Sequence, residues 1–160
     1  MTTVSLEDLF CTFIVDGHKG LDVTTFDIPG AYLIADIPKG KRILMKLRWD
    51  FFNIVCQVNP EYEQYVRYEN GEKVVYLLVI RAVYGFIEAA LLWYNILSIT
   101  LEGVVFETSP YYMCVENKVV EGTQCTIDWY VDENKLLHKN PEVISDIINI
   151  VKKNLESYLL

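Results

Sequence analysis

The sequence predicts an α+β fold in which antiparallel strands pack against helices. Helical and strand-like patterns are mixed along the chain, without the regular alternation that is typical of a doubly wound parallel sheet. Two dipeptides that favour tight hairpin turns, Asn70-Gly71 and Glu121-Gly122, each join two strand-like runs. A length of 160 residues suits one domain with its own core, so we expect a single domain over residues 1–160.

Composition indicates a folded, intracellular protein. Hydrophobic residues make up 52% of the chain and charged residues 22%, a balance that excludes a disordered segment. The longest apolar run, around Val74 to Ile80, has the length of a strand and not of a membrane span. The start, MTTVSLEDLF, carries acids where a signal peptide needs positive charge. We therefore expect a protein of the cytoplasm or nucleus that does not contact a membrane.

Cysteine spacing and net charge narrow the possible functions. The four cysteines are scattered without C-x-x-C spacing, which favours free thiols over a zinc site. The net charge is −8, whereas a protein that grips a phosphate backbone on its own normally has a basic surface. The basic run KGKRILMKLR is more typical of a solvated strand face than of a nucleic-acid contact.

Three helices are predicted. The first covers about residues 5–16, with Ser5 as N-cap and apolar residues at helical spacing. The second, from about 86 to 102 in GFIEAALLWYNILSITLEG, is expected to pack behind a sheet. The third begins at Asn140 as N-cap and Pro141 as first helical residue. The stretch AYLIAD fits either a helical turn or a strand continuation.

The predicted strands are short and rich in β-branched and aromatic residues. They are DVTTFDI, RILMKLR, YVRYE, EKVVYLLVI, YYMCVENKVV, TQCTIDWYV and NKLLH. The aromatic residues Trp49, Phe51 and Phe52 fall in a predicted turn after RILMKLR, where polar residues or glycine are more common.

The stretch TIDWYVDENK places two adjacent carboxylates, Asp132 and Glu133, after an apolar run. Strand alternation puts Asp128, Tyr130 and Asp132 on one face, and a hard cation such as Mg²⁺ would neutralise such acids. Taken alone, the pair is better explained by a polar hairpin turn. Asp27 also ends an apolar strand, and two strands that each deliver a carboxylate form a typical scaffold for two-metal phosphoryl transfer.

Four segments resemble the reverse transcriptase of copia-type retrotransposons. They are FDIPGAYLIAD, VYLLVIRAVYGFIEAALLWYNILS, TLEGVVFETSPYYMCVENK and CTIDWYVDENKLLH. The family patterns are D-[IV]-x-G-A-[FY]-L, L-Y-G-x-x-x-[SA]-x-x-x-W and Y-V-D-D, and the likeness keeps their order from about Val4 to Lys153. The resemblance implies a ferredoxin-like polymerase palm, with an antiparallel sheet backed by helices and a remnant of fingers.

The resemblance also implies a catalytic metal site. Asp27 would match the first metal-binding aspartate, Asp132 the second, and Glu133 the third carboxylate. These residues would hold two Mg²⁺ ions, with Mn²⁺ as a substitute, and join a primer 3′-hydroxyl to a nucleoside triphosphate. Implied partners are an RNA or DNA primer–template, dNTP and other parts of the retrotransposon polyprotein.

Three further positions would match the nucleotide-binding part of the family. Tyr32 would match the aromatic residue beneath the incoming sugar, which excludes the 2′-hydroxyl. Tyr84 and Gly85 would match the segment that supports the nascent base pair and the template. A core role beside Leu33 is the alternative for Tyr32, and core packing is expected for Trp93.

Departures from the family pattern favour weak or absent activity. Glu133 stands where the family has aspartate, and its extra methylene moves the carboxylate by about 1.5 Å, a misplacement that Mg²⁺ tolerates badly. Asp128 adds a third acid to the same strand face. The family's basic fingers region, thumb and RNase H domain have no counterpart in these residues, so nucleic-acid binding is expected to be weak. The alternatives are a non-catalytic palm that acts through protein contacts, and an unrelated acidic α+β domain.

Overall fold

The computed structural model describes residues 5–159, except for the side chains of Asp8 and Trp49. Within this range the chain forms six helices and two antiparallel sheets of five and three strands, neither of them closed into a barrel. The predicted α+β class is therefore confirmed. No helix in the described range is long and apolar enough to cross a membrane.

The helices and strands have the following bounds. The helices are α1 (Leu6–Lys19), α2 (Ala31–Ile34), α3 (Trp49–Val58), a 3₁₀ helix (Pro60–Tyr65), α4 (Ala89–Glu102) and α5 (Pro141–Glu156). The strands are β1 (Asp22–Asp27), β2 (Ile43–Arg48), β3 (Arg67–Glu69), β4 (Glu72–Val79), β5 (Glu107–Thr108), β6 (Val115–Val120), β7 (Thr123–Tyr130) and β8 (Glu133–His138).

The chain divides into two compact units where one domain was predicted. The larger unit combines the chain up to Asp36 with the chain from Arg81 onward, and the smaller unit is the intervening segment 37–80. The larger unit closes on itself around this insertion. The Ala82 amide donates to the Ala35 carbonyl at 2.8 Å, and Asp36 and Arg81 form an antiparallel bridge.

Local sequence signals explain several element ends. Asn70 and Gly71 both have positive φ, as a two-residue hairpin turn between β3 and β4 requires. Glu121 and Gly122 do the same between β6 and β7. The Asn140 side chain accepts a hydrogen bond from the Glu142 amide at 3.0 Å and so caps α5, as predicted.

The sheet of the larger unit has the order β1-β8-β7-β6-β5 and is covered on both faces. On one face, the ring of Tyr94 in α4 lies 6.0 Å from Trp129, and Lys152 in α5 lies over Phe26. Trp93 is 1% exposed, and its indole donates to the Val131 carbonyl at 2.6 Å. Trp93 is thus a core residue, as expected. Helix α1 lies on the opposite face, through contacts described below.

The smaller unit consists of the sheet β2-β4-β3 packed against α3. The prediction of a turn after β2 is wrong, because residues 49–58 form helix α3. Phe52 and Cys56, four positions apart, lie on one helical face and pack against Val75. The segment is therefore a helix that buries Phe52 against the sheet, while Phe51 remains 64% exposed.

Candidate functional site

Two strand ends bring the predicted carboxylates together in the larger unit. Strand β1 pairs with β8 in antiparallel register, and Asp27 lies directly opposite Glu133. One residue further, the Ile28 amide donates to the Asp132 carbonyl at 3.1 Å. All three residues predicted as metal ligands therefore occupy one end of this sheet, although Asp27 lies more than a hundred positions before the other two in the chain.

The turn between β7 and β8 determines on which side of the sheet the Asp132 and Glu133 side chains lie. Tyr130 pairs with Glu133, so Val131 and Asp132 form the turn, and Val131 has a φ of 60°. Positive φ is strained for a β-branched residue. Strand alternation consequently ends at Tyr130, and the prediction that Asp132 continues it is wrong. Glu133, not Asp132, shares the sheet face of Asp27 and Tyr130.

The Asp132 side chain is engaged by an aromatic pair. The Tyr84 hydroxyl donates to Asp132 Oδ2 at 3.0 Å, and the Tyr84 ring lies 4.7 Å from the ring of Tyr32 at 46°. Burial raises the pKa of both tyrosines above the usual value of 10.0. The hydrogen bond to Asp132 and the charge of Asp132 raise the pKa of Tyr84 further. The charge of Asp132 also raises the pKa of Tyr32. Both hydroxyls therefore remain protonated at neutral pH, and the Tyr84 hydroxyl serves as a donor that orients Asp132.

Gly85, beside this pair, has a φ of +88°, where side chains other than glycine are strained. A Cβ atom at this position would meet no atom within 4 Å. The glycine is therefore required by its backbone conformation and not by crowding. It leaves open space beside Tyr84.

These carboxylates do not form a ready metal site. No group of three His, Cys, Asp or Glu side chains in the described part of the chain is arranged to hold a metal ion. Asp27 and Glu133 are instead a directly opposed pair of like charges on exposed strand ends, which destabilises the pairing. The residues present thus do not fit the implied pair of Mg²⁺ ions in this conformation.

A buried charge cluster lies next to this site on the same sheet face. Asp128 pairs across the strands with Lys135, whose Nζ lies 3.6 Å from Asp128 Oδ2 and 2.7 Å from Asp16 Oδ2 in α1. The ammonium also donates to Thr12 Oγ1 at 2.7 Å and lies 4.3 Å from the centre of the Phe13 ring. Lys135 therefore supplies a cation beside Asp128 and attaches α1 to the sheet.

Burial has a larger effect on the pKa of Asp128 than the neighbouring Lys135 ammonium has. Desolvation raises the pKa of Asp128 to about 6, although the charge of the Lys135 ammonium acts in the opposite direction. Oδ2 of Asp128 has no hydrogen-bond partner among the described residues, since 3.6 Å to Lys135 exceeds hydrogen-bonding distance. One carboxylate oxygen therefore remains incompletely satisfied inside the protein.

A cavity of about 550 Å³ separates the first half of α1 from the sheet. Its walls include Leu6, Leu9 and Phe13 from α1, and Asp27 and Glu133 from the sheet. The Asp27 and Glu133 side chains consequently face the underside of α1, with the cavity between them and the helix.

Sequence reasoning did not identify Lys135 or the position of α1. The signal for Lys135 was present: a two-residue turn at Val131 and Asp132 pairs Asp128 with Lys135 by simple counting. The apolar positions of α1 predict a helix that packs on something, but helical spacing does not say which sheet face it covers.

Comparisons with protein-family models, with curated proteins and with solved structures find no significant match to this chain. The resemblance to copia-type reverse transcriptases consequently rests on the motifs and their order.

Proposed function

We propose that this chain is a polymerase palm of the copia-type reverse transcriptase kind, with weak or no nucleotidyl transfer in the state described. The observation that carries the proposal is the register of β1 and β8. It brings Asp27, Asp132 and Glu133 to one end of the sheet, where a palm holds its carboxylates. In this proposal the larger unit is the ferredoxin-like palm and segment 37–80 the remnant of fingers.

The tyrosine pair supports a nucleotide-binding role beside the carboxylates. Tyr84 is exposed and orients Asp132 through its hydroxyl, whereas Tyr32 is buried against the Tyr84 ring. In the proposed function Tyr32 lies beneath the incoming sugar, and Tyr84 with Gly85 supports the base pair. The substrates would be a primer–template and dNTP.

Two observations favour a second candidate, a palm that no longer catalyses and acts through protein contacts, such as other parts of the polyprotein. The carboxylates lack a metal-binding arrangement within the described chain. Helix α1 also covers the sheet face that carries Asp27 and Glu133, which is the face that substrates would need. This candidate predicts no gain of function from repair of the carboxylate set.

The two candidates differ in their response to Glu133→Asp. If Glu133 is a displaced metal ligand, the shorter side chain restores the family's geometry at unchanged charge. Mn²⁺ affinity should then rise about tenfold, because a misplaced ligand commonly costs that much. Mn²⁺ is the suitable probe because its binding can be followed by electron paramagnetic resonance. Primer extension by the repaired chain is a secondary measurement.

Matched controls separate this effect from nonspecific binding to an acidic protein. Glu156→Asp makes the same change at an exposed position in α5 and should leave Mn²⁺ affinity unchanged. Asp132→Asn in the repaired chain should remove the gain. Asp128 is left intact, because it is a buried partner of Lys135 and its loss would disturb the sheet. Equal Mn²⁺ affinity in the original and repaired chains would favour the non-catalytic candidate.

A further inference from the structure

The cavity beneath α1 has the size and lining of a small-molecule site. Its volume of about 550 Å³ lies within the roughly 300–1,000 Å³ of known ligand pockets. Apolar side chains form much of its wall. Those of α1 are Leu6, Leu9 and Phe13, and β7 adds the ring of Tyr130. The body of a ligand in this space would therefore be apolar.

The charged groups of the cavity favour a cation. Three carboxylates line it, those of Asp27, Asp128 and Glu133, against one ammonium, that of Lys135, which leaves two uncompensated negative charges. Lys135 is already shared between Asp16 and Thr12 at 2.7 Å each, so its charge is directed mainly towards α1. An anionic ligand would be repelled, and a neutral one would leave the carboxylates as they are.

Asp128 provides the specific acceptor. Asp128 is 1% exposed and lines the cavity. Its Oδ2 atom is buried and has no hydrogen-bond partner in the described structure. Buried polar atoms normally find partners, so an unsatisfied oxygen at a cavity wall indicates room for a donor from outside the chain. A primary ammonium group supplies up to three such donors, and its charge offsets the negative charge that Lys135 leaves uncompensated in the cavity.

We propose that the cavity under α1 binds a hydrophobic primary amine, with its ammonium group at Asp128 and its apolar body against Leu9 and Phe13. The Phe13 ring, 4.3 Å from the Lys135 ammonium, already takes part in one cation–π contact and can extend it to the ligand. The site does not depend on nucleotidyl transfer, and it is tested without divalent metal.

The probe is 4-phenylbutylamine, compared with 4-phenylbutan-1-ol and 4-phenylbutyrate, which have the same ring and similar chains. At the ligand efficiency typical of drug-sized molecules, the amine should bind with a Kd of about 4 mM. The alcohol should bind about tenfold more weakly because it brings no charge, and the carboxylate more weakly still. Titrations followed by protein NMR shifts in EDTA measure all three. A carboxylate that binds as tightly as the amine, or no shift with millimolar amine, would overturn the proposal.

Two variants locate the binding. Asp128→Asn keeps the side-chain shape and removes the charge, so the preference for amine over alcohol should fall to within twofold. Asp146→Asn, at an exposed position in α5, is its control and should retain the preference. Leu9→Trp fills the cavity from α1 and should abolish binding of both amine and alcohol, whether or not the Asp128 variant folds. Undiminished amine binding to folded Leu9→Trp would show that the site lies elsewhere and would refute the assignment.

Discussion

Removal of the Lys135 ammonium should be among the most destabilising single changes in this protein. The Lys135→Met variant keeps most of the apolar stem but leaves Asp16 and Asp128 without the cation they share. All three side chains are between 2% and 8% exposed, so water cannot replace the lost charge. Breaking a buried ion pair from one side costs about 3–5 kcal/mol, and for a chain of this size each kcal/mol lowers Tm by about 2–4 °C. The expected fall in Tm at pH 7 is therefore about 6–20 °C.

The pH dependence of this loss follows from the buried acids. The pKa of Asp128 is already raised to about 6 with Lys135 present, and removal of the cation raises it further. When the pKa of a carboxyl group is higher in the folded protein than in the unfolded chain, its ionisation destabilises the fold. This cost disappears when the pH falls below the pKa of the unfolded chain, because the group is then protonated in both states. The gap in unfolding free energy between the two proteins should consequently narrow from pH 7 to pH 4.

Urea unfolding followed by circular dichroism at both pH values provides the measurement. Lys153→Met, at an exposed position in α5, is the matched control and should change the unfolding free energy by less than about 0.5 kcal/mol. Adding Asp16→Leu and Asp128→Leu to Lys135→Met should recover most of the loss, since apolar side chains need no cation. A loss below about 1 kcal/mol at pH 7, or one that is equal at pH 4, would refute the account of α1 as attached by a buried charge cluster.

Four further outcomes are expected. Burial raises the pKa of Glu116 to about 7, so its charge lowers the stability of the fold progressively as pH rises from the unfolded value of 4.5 to about 7. Urea unfolding should therefore show that Glu116→Gln gains roughly 1–3 kcal/mol relative to the original protein between pH 4 and pH 8. Val131→Gly should add about 0.5–2 kcal/mol by relieving the positive φ, and a loss in urea unfolding would contradict the strain. In an absorbance titration, Tyr84→Phe should remove a tyrosine that ionises above pH 10, and the loss of one that ionises at or below pH 10 would contradict its bond to Asp132. Fluorescence anisotropy should give a Kd of about 10⁻⁴ M or weaker for primer–template at physiological salt, and tight, salt-insensitive binding would contradict this expectation.

Local signals in the sequence were sufficient for much of the fold. Asn70-Gly71 and Glu121-Gly122 adopt the positive φ angles that their hairpins require, and Asn140 caps α5. Helix α3 was missed because its aromatic residues follow a strand directly, and the pattern alone did not distinguish a crowded turn from a helix that buries Phe52 against Val75.

The candidate site was predictable in its members but not in its geometry. The strand pattern and the resemblance both selected Asp27 and Asp132, and the register brings both to one sheet end. The orientation of Asp132 towards Tyr84 depends on a turn that interrupts strand alternation, and Val131 gives no hint of a positive φ in the sequence. Long-range partnerships, such as that of Lys135 with α1, depend on packing that no local pattern specifies.

Segment 37–80 can be removed from the larger unit at a single junction, between Asp36 and Arg81. Asp36 and Arg81 are bridge partners in antiparallel pairing, so the larger unit already holds the two cut ends about 5 Å apart. A two-residue Asn-Gly turn is sufficient to join strands at that distance. Excision of residues 37–80 with such a linker should therefore yield a shortened protein with an intact five-stranded sheet. The same junction can accept a foreign module of any length whose own termini are adjacent, which makes this backbone a ready acceptor for grafted domains.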